Sequence, residues 1–547
     1  MERTATGTAS QAEARVFVLK AARSVAELQP KVNNVADVMV FLEVLGYTKH
    51  DALRNGFSDL YGLSREIFEF LDILEPHEEM QLATLETYVK VPGAAKRVAE
   101  GFALSFGWLG SLILLFIAGV SLWLSMLLPL KVTTVFMAGL FAGMFITEGP
   151  VQGFNRLFTF YHDQGNLTEA KRVLKRAYLT VGAVVALAAA GLYGVAMLTG
   201  FPLDLFEVGL IGMVTVSFHR VTYAIIYSLK KVLHLIFSYS IAFSLLLYVY
   251  FEMGDVVPEA TTRYFYALVA ALVVLTAFAF YDQFEVLSGK SFRGERNTPS
   301  FFRQVTFNKR TIRSRFSVQF WETLPNYLFG TFFFSMVFGD RILSWFFNPV
   351  HEVNGITLPF VFNSAYHAGA DPALLVIFPA LIIQYAMMSP VFAQVSNSTL
   401  GLAVTEVKKV QALLQARYAK VMATSVFSSV AVAAALNYLA PMVLPATSLS
   451  PTSLRILHLA SVADVLLVVF FANSAFMIMM NRAEGLAMLA LAGTLVVFLV
   501  GFALAQTGFQ NLAVAYLMAT ASVASVSTAY VLTNLKHASS MFLSRYV

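Results

Sequence analysis

Glu148, Gln152, Asn155 and Arg156 stand inside the apolar stretch GLFAGMFITEGPVQGFNRLFTFY. A charge facing lipid there costs roughly 2.5–3.5 kcal/mol or more, so these groups are expected to face a cavity or one another. A Glu148–Arg156 network, or an Arg156 reaching out to the membrane surface, would satisfy that demand. His219 and Arg220 sit about fifteen residues into another apolar run. A guanidinium stays charged and makes forked bonds to carboxylate, phosphate or hydroxyl groups. Glu322, Asp340 and Arg341 lie in a third run, and Asp464 is an isolated carboxylate in a fourth. Adjacent helix positions do not face each other, so Asp340 and Arg341 are expected to take separate partners. Gln384, Gln394, Ser396, Asn397 and Ser398 flank Pro390, a pattern that suits a hydrated path for a hydroxyl-rich solute.

Catalytic chemistry finds no footing. Cys is absent, so there is no thiolate nucleophile, Cys-ligated metal or disulfide. Ser288-Gly289-Lys290-Ser291 echoes a phosphate loop, but Phe284 stands where the first Gly is required. No Asp-x-Asp pair exists to hold a nucleotide-sugar metal, and the nine His show no H-x-x-x-H spacing. The expectation is a protein that is not an enzyme, with no metal and no cofactor.

The elements that position these residues are membrane helices. The chain is 58% hydrophobic and only 13% charged, with a mean hydropathy of +0.68. An average soluble domain is about 25% charged, so lipid is the expected solvent. Segments of about 20 apolar residues, each able to cross a hydrocarbon core of about 30 Å, are predicted at 103–127, 132–160, 177–199, 205–228, 232–252, 264–284, 318–346, 372–400, 418–440, 453–480, 485–506 and 511–534. Alternate loops carry 21 Lys/Arg and the intervening ones 3. That asymmetry places the basic loops and both termini in the cytoplasm. No signal peptide is read at the N-terminus.

The long basic loop divides the spans into two sets of six. The expected organisation is a helical cytosolic N-terminal domain over 1–100, a six-helix bundle over 101–284, a basic cytoplasmic linker over 285–317, a second bundle over 318–534 and a tail over 535–547. Residues 1–100 carry 11 Lys/Arg against 15 Asp/Glu, and Val35, Val38, Met39, Leu42 and Leu45 recur at helical spacing, as do Ile67, Leu71 and Leu74. An internal repeat accompanies the division: Pro150-Val151 and Pro390-Val391 each precede a basic loop and a Tyr 28 residues on, Tyr178 and Tyr418. A Pro inside a helix removes a donor and bends it. Pro150 and Pro390 are therefore the expected hinges of two bundles rocking about a central cavity. The fold class is all-α and polytopic, with about twelve transmembrane helices.

The Gly149-Pro150 helix with its exit NRLFTFYHDQGNLTEAKR, the seventh span LPNYLFGTFFFSMVFGDRILSWFFNP and the stretch LLVIFPALIIQYAMM resemble the multidrug/oligosaccharidyl-lipid/polysaccharide (MOP) exporter superfamily. Within it they are most similar to PelG-type exopolysaccharide exporters. The family's acidic–basic pair followed by a Trp has its match in Asp340, Arg341 and Trp345. The family's eighth helix carries acidic residues midway, whereas this chain has SPVFAQVSNST there. The N-terminal domain has no counterpart in the family core.

The resemblance implies a flippase or exporter in the inner membrane that moves a polysaccharide or lipid-linked oligosaccharide by alternating access. Arg156, Arg220 and Arg341 would meet anionic or hydroxyl-rich groups. Glu148, Asp340 and Asp464 would be balancing charges or ion-coupling sites. The implied partners are the glycan or glycolipid substrate, membrane lipids, a cytosolic glycosyltransferase and other glycan-synthesis membrane subunits, with no nucleic acid. Two rivals stand beside this reading: a small-molecule or drug antiporter of the same superfamily, and a non-transporting scaffold for a glycosyltransferase.

Overall fold

The computed structural model describes residues 16–25, 32, 35–71, 93–163, 167–229, 231–288, 316–353, 356–401, 407–443, 450–480 and 482–536, apart from the side chains of 70, 71, 163, 286, 316–318, 356, 392–401, 407–410 and 443. Most of the expected linker and tail, and Leu74, lie outside the described residues. Four short helices come first: α1 (16–25), α2 (Val35–Val44), α3 (Lys49–Arg54) and α4 (Leu60–Leu71). Val38, Leu42, Leu63 and Ile67 close their small apolar core together with Ala21, Ala22 and Val25. Thr48 starts α3 with a capping box, its hydroxyl accepting from the Asp51 N–H while Asp51 accepts from the Thr48 N–H.

The long helices follow: α5 (Ala94–Ala118), α6 (Leu130–Asp163), α7 (Leu167–Thr199), α8 (Leu203–Leu229), α9 (Val232–Glu252) and α10 (Ala260–Leu287). After the basic segment come α11 (Phe316–Phe346), α12 (Ser364–Ala373), α13 (Ile377–Gly401), α14 (Val407–Val443), α15 (Pro451–Met479), α16 (Ala483–Ala505) and α17 (Leu512–Lys536). In hydrocarbon the backbone must satisfy its own polar groups, and a helix does so locally. The single sheet among the described residues is a two-stranded hairpin, β1 (Glu352–Val353) with β2 (Ile356–Thr357), in the loop before α12.

Eleven helical stretches among the described residues are long and apolar enough to span a membrane. The twelfth is α11, whose 31 residues reach about 46 Å. Its charged residues keep it from being apolar throughout, and it is packed between α6 and α16. The protein is thus an all-α polytopic membrane protein. The first span departs from the sequence expectation: its helix runs over Ala94–Ala118 rather than 103–127. Gly119 ends it in the left-handed conformation at φ 70°. The apolar residues that follow, Val120 to Leu124, are buried as a loop tied by the Tyr264 Oη bond to the Ser121 carbonyl.

The glycines of α6 serve two different faces. A Cβ on Gly139 would lie 1.8 Å from the Gly209 carbonyl oxygen, and one on Gly143 2.6 Å from that of Met213, so this face lies against the backbone of α8. A Cβ on Gly149 would lie 2.4 Å from Thr331 Oγ1 of α11. Such contacts let helices without large side chains pack by dispersion alone. Gly139→Ala is expected to destabilise by at least the roughly 1–3 kcal/mol typical of overpacking, because backbone cannot yield as a side chain does. Gly153→Ala is the control, since its new methyl would find nothing nearer than 3.7 Å. Melting temperatures in detergent rank the two; equal melting would contradict the close approach.

Two seams join the first six long helices to the rest. Along one, α6 runs antiparallel to α11, from Gln319 Nε2 donating to Tyr161 Oη at 3.0 Å, through Gly149 and Gly330, to Phe141 against Trp345 at 5.3 Å. Along the other, α5 meets α13, where a Cβ on Gly101 would lie 2.9 Å from the Ile382 carbonyl oxygen. There Arg97 Nε donates to the Ala386 carbonyl at 2.8 Å, and Tyr385 Oη donates to Glu100 at 3.1 Å. Pro150 and Pro390 sit inside α6 and α13, and both helices continue through them. Pro325 in α11 does the same.

Candidate functional site

The first cluster is built by α5, α6 and α8. Glu148 is buried on α6 and accepts from Gln152 Nε2, one turn on, at 2.9 Å. Its other oxygen is ion-paired with Arg220 Nη2 of α8. Of the two alternatives for Arg156, a network with Glu148 is not formed, since Glu148 pairs with Arg220, and Arg156 is exposed, as the outward-reaching alternative has it. The cause is distance: position 156 is eight residues, about 12 Å of helical rise, beyond 148, while the α8 backbone is held against α6 by the Gly139–Gly209 approach. Asn155 accepts a hydrogen bond from Ser228 Oγ of α8.

Gln152, Asn155, His219, Arg220, Trp108 and Tyr227 line a cavity of about 140 Å³. Arg220 Nε is buried there without a partner in the structure. The aromatic wall is continuous. Trp108 stacks on Trp123 at 5.7 Å, Trp123 meets the His219 ring edge at 4.8 Å, and His219 stacks on Tyr223 at 4.6 Å. His219 Nε2 shares a hydrogen bond with Tyr239 Oη, which in turn bonds Tyr227 Oη, both at 3.1 Å. Trp123 comes from the buried loop that sequence reading had placed in the first span.

The second cluster belongs to α11, α12, α15 and α17. Arg341 is fully buried and uses its whole fork: Nε donates to Asp371 at 2.9 Å, Nη1 to Asp340 at 3.2 Å and to the Val337 carbonyl at 3.1 Å, and Nη2 to the Ala370 carbonyl at 2.7 Å. The neighbours Asp340 and Arg341 thus meet, against expectation, because the long guanidinium curls back over its own helix. Each also has partners of its own, Asp340 accepting from Tyr366 Oη at 2.6 Å. His367 Nδ1 lies 2.8 Å from Asp371 Oδ2, and its Nε2 lies 2.9 Å from Trp345 Nε1. An indole N–H only donates, so His367 Nε2 accepts, the imidazole is neutral and its proton sits on Nδ1. Asp464 accepts from Tyr516 Oη at 2.7 Å through one oxygen, while its other oxygen, Oδ2, is buried with no partner in the structure. Asp340 and Asp371 thus pair with the guanidinium directly, and Asp464 is the third carboxyl group of the cluster, tied in through Tyr516, whose ring centre lies 6.0 Å from the guanidinium.

The structure brings Glu148, Gln152, Asn155, His219 and Arg220 into one cluster and Asp340, Arg341 and Asp464 into another. Because α6 and α11 are antiparallel, Glu148 lies level with Gly330. Arg341 is eleven residues further along, about 16 Å by helical rise. The two clusters are therefore staggered across the membrane. Gln384 joins neither, its Nε2 donating to the Val468 carbonyl at 3.1 Å as a tie between α13 and α15. The Asn397 side chain lies outside the described residues. Sequence reading missed Asp371, His367, Tyr366 and Tyr516. His367 and Asp371 are four residues apart, a spacing that puts both on one helix face, but they fell in a stretch read as a loop.

No family model matches the sequence, and no curated protein matches it. Solved structures do match in fold. A MATE P26A mutant covers 83% of this chain and 98% of its own at a TM-score of 0.57 and 15% identity. A multidrug resistance MATE transporter of the MOP superfamily, in an outward-facing conformation, covers 83% and 96% at 0.54 and 13%. A MOP superfamily transporter from Pyrococcus furiosus, described as having a binding pocket of reversed polarity, covers 83% and 95% at 0.54 and 13%. At these identities the likeness is one of fold.

Proposed function

We propose that the protein is a membrane transporter that moves a glycan or lipid-linked oligosaccharide by alternating access of its two helix bundles. The observation that carries this reading is the lining of the α6–α8 cavity, which at about 140 Å³ is below the roughly 300–1,000 Å³ of ligand pockets and must widen as the bundles move to admit a sugar. Aromatic faces, amide side chains and a guanidinium with a free Nε–H meet there. Aromatic rings take the apolar face of a sugar ring, while Arg and amide donors take its oxygens. A site for cationic drugs would need an uncompensated carboxylate, and Glu148 is already neutralised by Arg220. The fold supports the alternating-access part, as do the prolines in α6, α11 and α13. The basic loops favour a plasma-membrane orientation with both termini in the cytoplasm.

The second cluster is read as the coupling site. Asp464 Oδ2 is the place where a proton or cation can be taken up without displacing a hydrogen bond. Asp464→Asn should leave stability within about 0.5–1 kcal/mol, since an amide oxygen can still accept from Tyr516. It should also uncouple transport from an imposed ion gradient in proteoliposomes. Retained gradient-driven transport would remove Asp464 from the mechanism.

Substrate class is tested in two assays. Proteoliposomes loaded with a fluorescent lipid-linked oligosaccharide should expose it to added lectin in a protein-dependent way. Expression in an efflux-deficient host should leave ethidium accumulation unchanged. Ethidium efflux without oligosaccharide exposure would instead establish the drug-antiporter reading.

A further inference from the structure

A groove of about 460 Å³ runs between α14 and α17, on the side of the basic loops and apart from both clusters. Its walls are apolar: Met422, Ala423 and Val426 on α14 face Leu532 and Leu535 on α17. At the groove's end two side-chain amides join the helices. Gln411 Nε2 donates to the Lys536 carbonyl at 3.1 Å and Gln415 Nε2 to that of Leu535 at 3.4 Å. The floor is fixed from behind, because Tyr418 Oη donates to Asn473 of α15, whose Nδ2 donates to Ser527 and Thr528 of α17. The groove is therefore held open by a hydrogen-bonded frame. The matching cleft between α7 and α10, the third and sixth long helices of the first set, is filled. There Tyr178 packs with Phe218 and Phe280 at 6.0–6.4 Å.

We infer that this groove is a binding site for one acyl chain of an anionic phospholipid. The space falls within the size range of ligand pockets. Its lining lies inside two spans, so a lipid chain is the apolar occupant at hand. Cations flank it: exposed Lys536 ends α17 beside the Gln411 and Gln415 amides, half-buried Arg417 follows Gln415 on α14, and exposed Lys420 lies one turn further along the groove. Basic residues so placed select an anionic headgroup over a zwitterionic one.

The test uses the full-length protein, delipidated in mild detergent and offered phosphatidylglycerol or phosphatidylcholine, with retained lipid counted by native mass spectrometry. Wild type should retain one phosphatidylglycerol at least tenfold better than phosphatidylcholine. Ala423→Trp and Leu532→Trp, both at exposed positions that do not threaten folding, should each abolish that retention. Lys420→Gln with Lys536→Gln should make the two lipids equal. Equal retention of both lipids by wild type, or undiminished retention by both Trp variants, would overturn the proposal. So would a disulfide-linked dimer formed through Ala423→Cys, which would make the occupant a second copy of the chain.

Discussion

Arg220→Ala should leave little folded protein, costing about 3–5 kcal/mol, because it strands the buried Glu148 carboxylate. Net stabilities of proteins are only about 5–15 kcal/mol, so such a loss would dominate any reading of activity. Were Arg220 held by substrate alone, the substitution would abolish export and spare expression. The pair seen between α6 and α8 changes that expectation. The informative variant is the double change Glu148→Gln with Arg220→Gln, which removes both charges and lets the amides bond each other. It should restore most of the melting temperature yet transport no substrate, because the guanidinium that lines the cavity is gone. Fluorescence-detected size-exclusion melts and the oligosaccharide assay separate the two effects. Were Arg220→Ala to melt like wild type, Glu148 would have another partner and the cavity chemistry would need rebuilding.

Arg341→Met should be more damaging still. Arg341 is fully buried and makes four hydrogen bonds to two carboxylates and two carbonyls. Its loss strands Asp340 and Asp371 at about 3–5 kcal/mol for a broken buried pair, and leaves the Ala370 and Val337 carbonyls short of a donor. Arg341→Lys keeps the charge but not the planar fork, so it should give folded protein of reduced stability. The expected order in a detergent melt is wild type, then Lys, then Met, with Met failing to yield a monodisperse peak. A Met variant as stable as wild type would show that the three carboxyl groups do not depend on this guanidinium.

Much of the architecture was legible because hydropathy and loop charge are one-dimensional signals. The twelve spans follow from apolar runs, and the helices lie close to where those runs predict. The first span slipped because Val120 to Leu124 is as apolar as a helix; only the left-handed Gly119 and the fold-back of Trp123 make it a loop. The sites were legible as residues but not as pairs. Glu148 and Arg220 are 72 positions apart, and nothing local chooses Arg220 over Arg156 until the glycine-mediated packing of α6 on α8 brings it within reach. Asp371 escaped notice because it precedes a Pro in a stretch too polar to read as a span. The aromatic wall of Trp108, Trp123 and Tyr223 escaped because buried rings carry no sign of whether they line a core or a cavity.

Alternating access predicts opposed motion at the two membrane faces, and the absence of Cys makes spin labelling clean. Labels at Lys171→Cys and Ala416→Cys report the basic-loop side between α7 and α14, and labels at Thr199→Cys and Gln506→Cys report the opposite side; all four positions are exposed. Double electron–electron resonance in proteoliposomes, with and without an oligosaccharide or an ion gradient, should show one distance lengthening as the other shortens. Distances that stay single and unmoved, or that change in the same sense, would contradict the transporter account.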